Sequence, residues 1–226
     1  AGGLQHDFRQ YGTTFGDAIL GTGNGLVFSR VARLRPDYAG PPISKVYDGL
    51  TDVSVDGSVT LAGLVPGDSL AGTPGFGSFR FADANAGTDI PILASLSGNV
   101  PAVVDDSGKP AYGYTYREQS SGFVGTINPK PVSVLNVTAQ NKVYDGTATA
   151  TLLGGTVAGL VGAETLTLAP GTGLFATPDA GTQILVTGSV TLADGDNGGL
   201  ARNYVLASAA PVSTRADILP RPLTLT

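Results

Sequence analysis

The amino-acid sequence predicts an all-β chain of two tandem immunoglobulin-like β-sandwich domains, with β-grasp-like repeats carrying a small helix as the structural alternative. Three observations carry that expectation. The pentapeptide Lys-Val-Tyr-Asp-Gly occurs twice, at Lys45 to Gly49 and at Lys142 to Gly146. Apolar and polar residues alternate through short segments such as Val132 to Thr138, the period of a half-buried strand. Glycine at 33 and proline at 15 of 226 residues favour many short strands and turns, and no dozen residues keep a convincing helical period.

The second copy of the pentapeptide has the cleaner flanks. Val132 to Thr138 reads as a strand, Asp145-Gly146 as a turn, and Thr147 to Leu152 as the returning strand of a hairpin. Glycine supplies a positive φ there without steric cost. Tyr144, just before the turn, is placed to cover the sandwich end while its hydroxyl finds a backbone partner. Lys45, Tyr47, Asp48 and Gly49, with Lys142, Tyr144, Asp145 and Gly146, therefore read as a structural motif, because repeated loop residues fix a repeated turn.

The repeat extends well beyond this motif. Gly63-Leu64-Val65-Pro66-Gly67-Asp68 matches Gly159-Leu160-Val161-Gly162-Ala163-Glu164. Phe81 to Thr88 matches Phe175 to Thr182 with one extra residue in the first copy, and Ile127 to Pro131 matches Ile218 to Pro222. A period of roughly 90 to 100 residues is too long for a solenoid repeat and right for one small domain. The expected division is residues 1–42 as an N-terminal β segment consistent with a remnant of a preceding repeat, 43–131 as the first repeat and 132–222 as the second. Residues 223–226 match the start of a following repeat, and Ala1 reads as the start of an excised fragment. Pro129-Lys130-Pro131 and Pro220-Arg221-Pro222 read as stiff, extended joints holding consecutive domains end to end in a rod.

In the N-terminal segment, Phe8 to Asp17 reads as a strand running into a turn. The Gly21 to Gly25 run lacks the third glycine and the Lys-Ser/Thr that a phosphate loop needs, so it reads as a hairpin loop. Leu26 to Leu34 is a strand candidate in the place of Val132 to Thr138. Arg30, Arg33 and Arg35 form a basic cluster in an acidic chain. A solvated strand face is one reading, and a contact for an acidic polysaccharide or carboxylate is the other.

Composition narrows the function classes. The chain has no cysteine, which removes disulfides and thiolate metal sites. Its 13 basic and 18 acidic residues give a net charge of −5, which argues against nucleic acid as a partner. No apolar run approaches the roughly 20 residues of a bilayer span, and no signal peptide is evident.

The ordered set Lys-Val-Tyr-Asp-Gly-Thr, Gly-Leu-Val-x-x-Asp/Glu, Phe-Ala with Ala-Gly-Thr, Asn203-Tyr204 and a closing Ile-x-Pro-Lys/Arg-Pro resembles the YDG-type repeats of large secreted, filamentous-haemagglutinin-like bacterial adhesins. The resemblance covers about residues 43 to 226. Tyr11-Gly12-Thr13-Thr14-Phe15 is similar to the start of the MBG-type repeats found beside them, without the remainder of such a domain. The resemblance implies an extracellular stalk at a cell surface or in a biofilm matrix, with glycan binding as a further implication. It implies no catalytic residues.

Other candidate chemistry is weaker. Gly67-Asp68-Ser69-Leu70 spells an esterase nucleophile block, but the second copy lacks the serine and the single histidine, His6, lies far upstream. His6 beside Asp7 reads as a surface residue rather than half of a metal pair. Asp194, Asp196 and Asn197 form a calcium-like loop that also suits a simple turn, as does Asp105-Asp106-Ser107-Gly108. Tyr112, Tyr114 and Tyr116 alternate, so on one strand their rings would share a face on which sugars stack, with Arg117 and Glu118 supplying hydrogen bonds. The alternative is a half-buried sheet surface. Lys45 and Lys142 also permit intramolecular amide cross-links. The sequence is thus read as a monomeric, non-enzymatic stalk segment with no required cofactor and no membrane insertion. Its expected partners are neighbouring repeats, and the runner-up is a module binding polysaccharide or host glycan through the tyrosine stripe or the arginine cluster.

Overall fold

The computed structural model describes residues 4–208 and 211–223. These fall into two units, one holding the chain up to Lys45 and Leu50–Ile127, the other holding Val46–Gly49 and the chain from Asn128 onward. Both are β structures; the helical element among the described residues is a single 3-10 turn, Ala201–Asn203. No described helix is long and apolar enough to cross a membrane.

The first twelve strands are β1 (Phe8–Tyr11), β2 (Gly25–Phe28), β3 (Ala32–Ala39), β4 (Ile43–Val46), β5 (Ser58–Ala62), β6 (Asp68–Leu70), β7 (Phe76–Phe81), β8 (Gly87–Leu96), β9 (Val103–Asp105), β10 (Ala111–Tyr112), β11 (Tyr114–Tyr116) and β12 (Val124–Asn128). There follow β13 (Lys130–Leu135), β14 (Thr138–Ala139), β15 (Lys142–Val143), β16 (Thr149–Leu153), β17 (Thr156–Ala158), β18 (Leu166–Phe175), β19 (Gly181–Asp194), β20 (Tyr204–Leu206) and β21 (Val212–Leu219).

The two units repeat one topology. Strand order β4-β12-β8-β7 answers to β15-β21-β19-β18, and β11-β3-β5 answers to β20-β13-β17. Tyr114 stands opposite Ala32 in a parallel pair, as Tyr204 stands opposite Lys130. Strand β3 therefore holds the place of β13, so the first copy begins ahead of the boundary expected at residue 43. The single strand expected over Leu26 to Leu34 divides: β2 pairs with β1, while β3 starts at Ala32. The β16 strand of the second unit shrinks in the first to one bridge, Asp52 to Arg80.

The expected hairpin around Asp145-Gly146 does not form. Strand β13 pairs with β17 and β20, β16 pairs with β14 and β18, and Lys142-Val143 pairs in parallel with Ile218-Leu219. The reason is the layering: after β13 the chain turns at Asn136, φ 56°, and enters the other sheet. In that sheet Leu152, Phe175, Val186, Val190 and Ile218 form a buried cluster, onto which Val134 of β13 packs from the facing layer. In the first unit, buried Phe123 stacks on Tyr38 of β3 at 5.2 Å and meets Phe79 of β7 edge-on at 5.9 Å. One ring thus ties the two layers together.

Two sequence motifs find their cause here. The Ala-Gly-Thr repeat opens β8 and β19 at a bulge, where Asp89 and Gln183 both adopt φ 53° and the pairing register shifts. The joint expected at Pro129-Lys130-Pro131 is largely strand, since Lys130 and Pro131 open β13 opposite Tyr204 and Val205. Residues 224–226, expected to open a further repeat, lie outside the described residues.

Gly113 separates β10 from β11 at φ 81°, and a Cβ there would sit 2.2 Å from the Tyr11 carbonyl oxygen. Gly113→Ala is therefore expected to destabilise the first unit by more than about 1–2 kcal/mol, the left-handed penalty alone. Urea unfolding checks this, and a midpoint equal to the parent's would contradict it.

Candidate functional site

The feature built twice is a carboxylate held between two tyrosines. Its foundation is local. Gly63 and Gly159 both take φ 98°, a left-handed bend that leads into a turn in which Val65 accepts from the Asp68 N–H at 2.9 Å, and Val161 from the Glu164 N–H at 3.1 Å. The turn aims Asp68 and Glu164 at tyrosines on β11 and β20.

In the second unit the Tyr204 hydroxyl donates to Glu164 Oε2 at 2.5 Å and accepts from the Val161 N–H at 3.0 Å. Tyr47, from the segment Val46–Gly49, donates to Glu164 Oε1 at 2.6 Å. Its ring meets Tyr204 edge-on at 5.4 Å, and its N–H donates to the Asn128 carbonyl at 2.8 Å. In the first unit Tyr11 and Tyr114 both donate to Asp68 Oδ2 at 2.7 Å, their rings edge-on at 5.4 Å, and Tyr114 accepts from the Val65 N–H at 2.9 Å. Burial first, and the adjacent carboxylate second, push Tyr11, Tyr47 and Tyr204 up to about 12 and Tyr114 higher still.

The first unit adds a second layer of charge. Arg9 donates to Asp68 Oδ1 at 2.8 Å and reaches Asp106 at 3.1 Å. Asp105, whose side chain is fully buried, accepts from the Ser107 and Lys109 N–H groups and pairs with His6 Nε2 at 2.5 Å. Burial opposes its ionisation, but these hydrogen bonds outweigh it and hold the carboxyl below the usual range; the same contact raises His6. His6, expected as a lone surface residue, is thus a partner of Asp105, which a separation of 99 residues hid from sequence reasoning.

The pentapeptide lysines staple their own corners. Lys142 Nζ donates to Asp145 Oδ1, Thr147 O, Thr147 Oγ1 and Thr149 O within 2.7–3.2 Å, and Lys45 Nζ to Leu50 O and Asp52 O. The Lys142 ammonium, with the Thr147 N–H, holds Asp145 down at about 2. Gly49 and Gly146 take φ 78° and 79°, as the turn requires. The tyrosine role differs from expectation: the Tyr144 hydroxyl, expected on a backbone partner, has none among the described residues, while that of Tyr47 in the other copy donates to a carboxylate.

The tyrosine stripe does not share one strand face. Gly113 breaks the alternation, so Tyr112 on β10 packs edge-on against Phe8, Tyr114 serves Asp68, and Tyr116 donates to the Ala94 carbonyl of β8. The arginines come out differently. Arg33 and Arg35 project from the outer face of β3, and Arg117, whose N–H donates to the Leu34 carbonyl, joins them in lining a shallow polar pocket with Gln119, Ser120 and Ser121. No ion-pair partner of these three guanidiniums is found among the described residues. Glu118 instead pairs with Arg80 at 2.9 Å, and Arg30 lies exposed ahead of β3, outside that pocket.

The calcium candidates make a turn. Asp194 accepts from the Ala201 N–H, Asn197 donates its amide to the Ala163 carbonyl, and the Asp196 N–H donates to Thr165 Oγ1. No group of three or more acidic, His or Cys side chains converges as a metal site among the described residues. In the esterase-like block, Ser69 is exposed and Asp68 is the cluster carboxylate. Sequence reasoning aligned Asp68 with Glu164 without assigning them a role; the signal was an acid kept in both copies while its serine neighbour was not.

Compared with known proteins, the family model described as the YDG domain matches residues 33–116 and 128–212. No curated protein and no solved structure matches the chain.

Replacing Tyr47 by Phe removes a charge-assisted donor and is expected to cost the second unit about 1.5–3 kcal/mol. In a double-mutant cycle with Tyr204→Phe, coupling above about 0.5 kcal/mol is expected, and strict additivity would contradict a shared cluster. The pH dependence has a definite sign. Tyrosines raised in the folded state contribute fully below their unfolded value of about 10 and lose that contribution as pH climbs through about 12. Unfolding followed against tyrosinate absorbance should therefore show the parent losing stability from pH 10 to 12 more steeply than Tyr47→Phe.

Proposed function

The chain belongs to the YDG domain family, in two tandem copies, and on that premise we propose that it is a stalk segment of an extracellular bacterial adhesin at a cell surface or in a biofilm matrix. It spaces and presents binding regions carried elsewhere on such a protein. The observation that carries this reading is the closure built twice. Each unit is completed by a tyrosine from a preceding stretch of chain, Tyr11 in one and Tyr47 in the other, and held by the same pair of hydroxyl–carboxylate bonds. A closing contact kept in both copies, while loop lengths and surface residues drift, suits a mechanical array. The chain works as a monomer whose partners are neighbouring repeats, without catalytic residues and without nucleic acid or membrane insertion.

A second reading has its own support. Arg33, Arg35 and Arg117 gather from two strands into one polar pocket, where forked donors suit the carboxylates of an acidic polysaccharide. One pair of measurements decides between them. Stretching single molecules of the stalk is expected to give two separate unfolding events, one of them moved to lower force by Tyr47→Phe, together with no signal on an array of neutral and acidic glycans. Saturable binding of an acidic glycan, abolished by Arg33→Ala and Arg117→Ala, would put the carbohydrate-binding reading in its place.

A further inference from the structure

We propose that the Tyr144 corner is a docking element whose partner is a further YDG-type unit presenting an open tyrosine–carboxylate socket; this rests on the array reading above and assigns its contact. The pentapeptide tyrosine of Lys45 to Gly49 is 5% exposed and sits on Glu164, and Tyr11 is 4% exposed and sits on Asp68. Tyr144 has the same local build. Its N–H donates to the Leu219 carbonyl at 2.8 Å, as that of Tyr47 donates to Asn128 at 2.8 Å, and the glycines two residues on share a φ of 78–79°. Yet Tyr144 is 40% exposed and its hydroxyl has no partner among the described residues. The glycine tells the same story. A Cβ on Gly49 would meet Val161 at 3.1 Å, in the turn that bears the carboxylate, whereas one on Gly146 would meet nothing within 4 Å.

Lys142 and Asp145 lock this corner before any partner arrives, so docking needs little ordering of the backbone. The partner's chemistry follows from the two filled cases: a Gly-Leu-Val turn ending in Asp or Glu, and a tyrosine whose hydroxyl already accepts from that turn's N–H. A second copy of this chain does not fit, since both of its sockets are occupied by its own Tyr11 and Tyr47.

The test extends the chain. Residues 1–222 are followed directly by a second copy of residues 132–226, which places a Glu164-type socket downstream of Tyr144. Tyrosine nitration, mapped by peptide mass, reads the contact. Tyr144 should react readily in the 226-residue chain and at least about tenfold more slowly in the extended one, the factor that 1.4 kcal/mol of docking supplies. Glu164→Ala in the appended copy alone should restore the reactivity. In thermal unfolding, Tyr144→Phe should lower the melting temperature of the extended chain and leave that of the parent unchanged. Equal nitration of Tyr144 in both chains overturns the proposal. So does an appended unit that stays unfolded, since Tyr144 is held to supply what it needs to close. Two-step unfolding of the parent under force does not depend on this result, so failure here is distinguishable from failure of the stalk reading.

Discussion

A carboxylate enclosed by tyrosine rings must have its oxygens satisfied, because an unpaired buried charge costs more than most single contacts return. Two phenol hydroxyls meet that demand on Glu164, and two phenol hydroxyls with the Arg9 guanidinium meet it on Asp68; the demand then reaches outward. It requires Gly63 and Gly159 at φ 98°, since the bend that delivers the acid passes through the left-handed region. It requires the parallel pairings that bring Tyr114 and Tyr204 alongside β3 and β13. It also requires a second tyrosine from a distant stretch of chain, which makes closure a long-range event.

The two versions differ in a way that acid length explains. Asp68 takes both hydroxyls on Oδ2, leaving Oδ1 to Arg9. Glu164, one methylene longer, receives one hydroxyl on each oxygen, and the residue aligned with Arg9 is Lys45, whose ammonium is committed to the Leu50 and Asp52 carbonyls. The first unit thereby gains a cation–carboxylate layer that continues through Asp106, Asp105 and His6. The second relies on the hydroxyl pair and the buried cluster around Leu152 and Val186.

The surface tells a separate story. Arg33 and Arg35 are adjacent on one strand and were visible as a cluster, but Arg117 lies more than eighty residues away and joins them only because Tyr116 pairs with Leu34. Grouping Arg117 with the tyrosines followed the chain; the sheet grouped it with the arginines. The tyrosines themselves are turned inward by Gly113, a residue that reads in sequence as a minor interruption of an alternating pattern.

Repetition, β character, the turn-forming role of Asp145-Gly146 and the equivalence of Asp68 with Glu164 were all legible in the residues, because they depend on local periodicity, backbone freedom and comparison of one copy with the other. Partnership was not. Whether Tyr47 sits on backbone or carboxylate, whether β13 pairs with β16 or with β17 and β20, and whether His6 stands alone or against Asp105 are settled by which strands become neighbours. That choice is made by burial of the whole apolar set at once, and a local pattern shared by several strands is compatible with more than one answer. The chain's order therefore determined what is repeated, while packing alone decided which tyrosine completes which carboxylate.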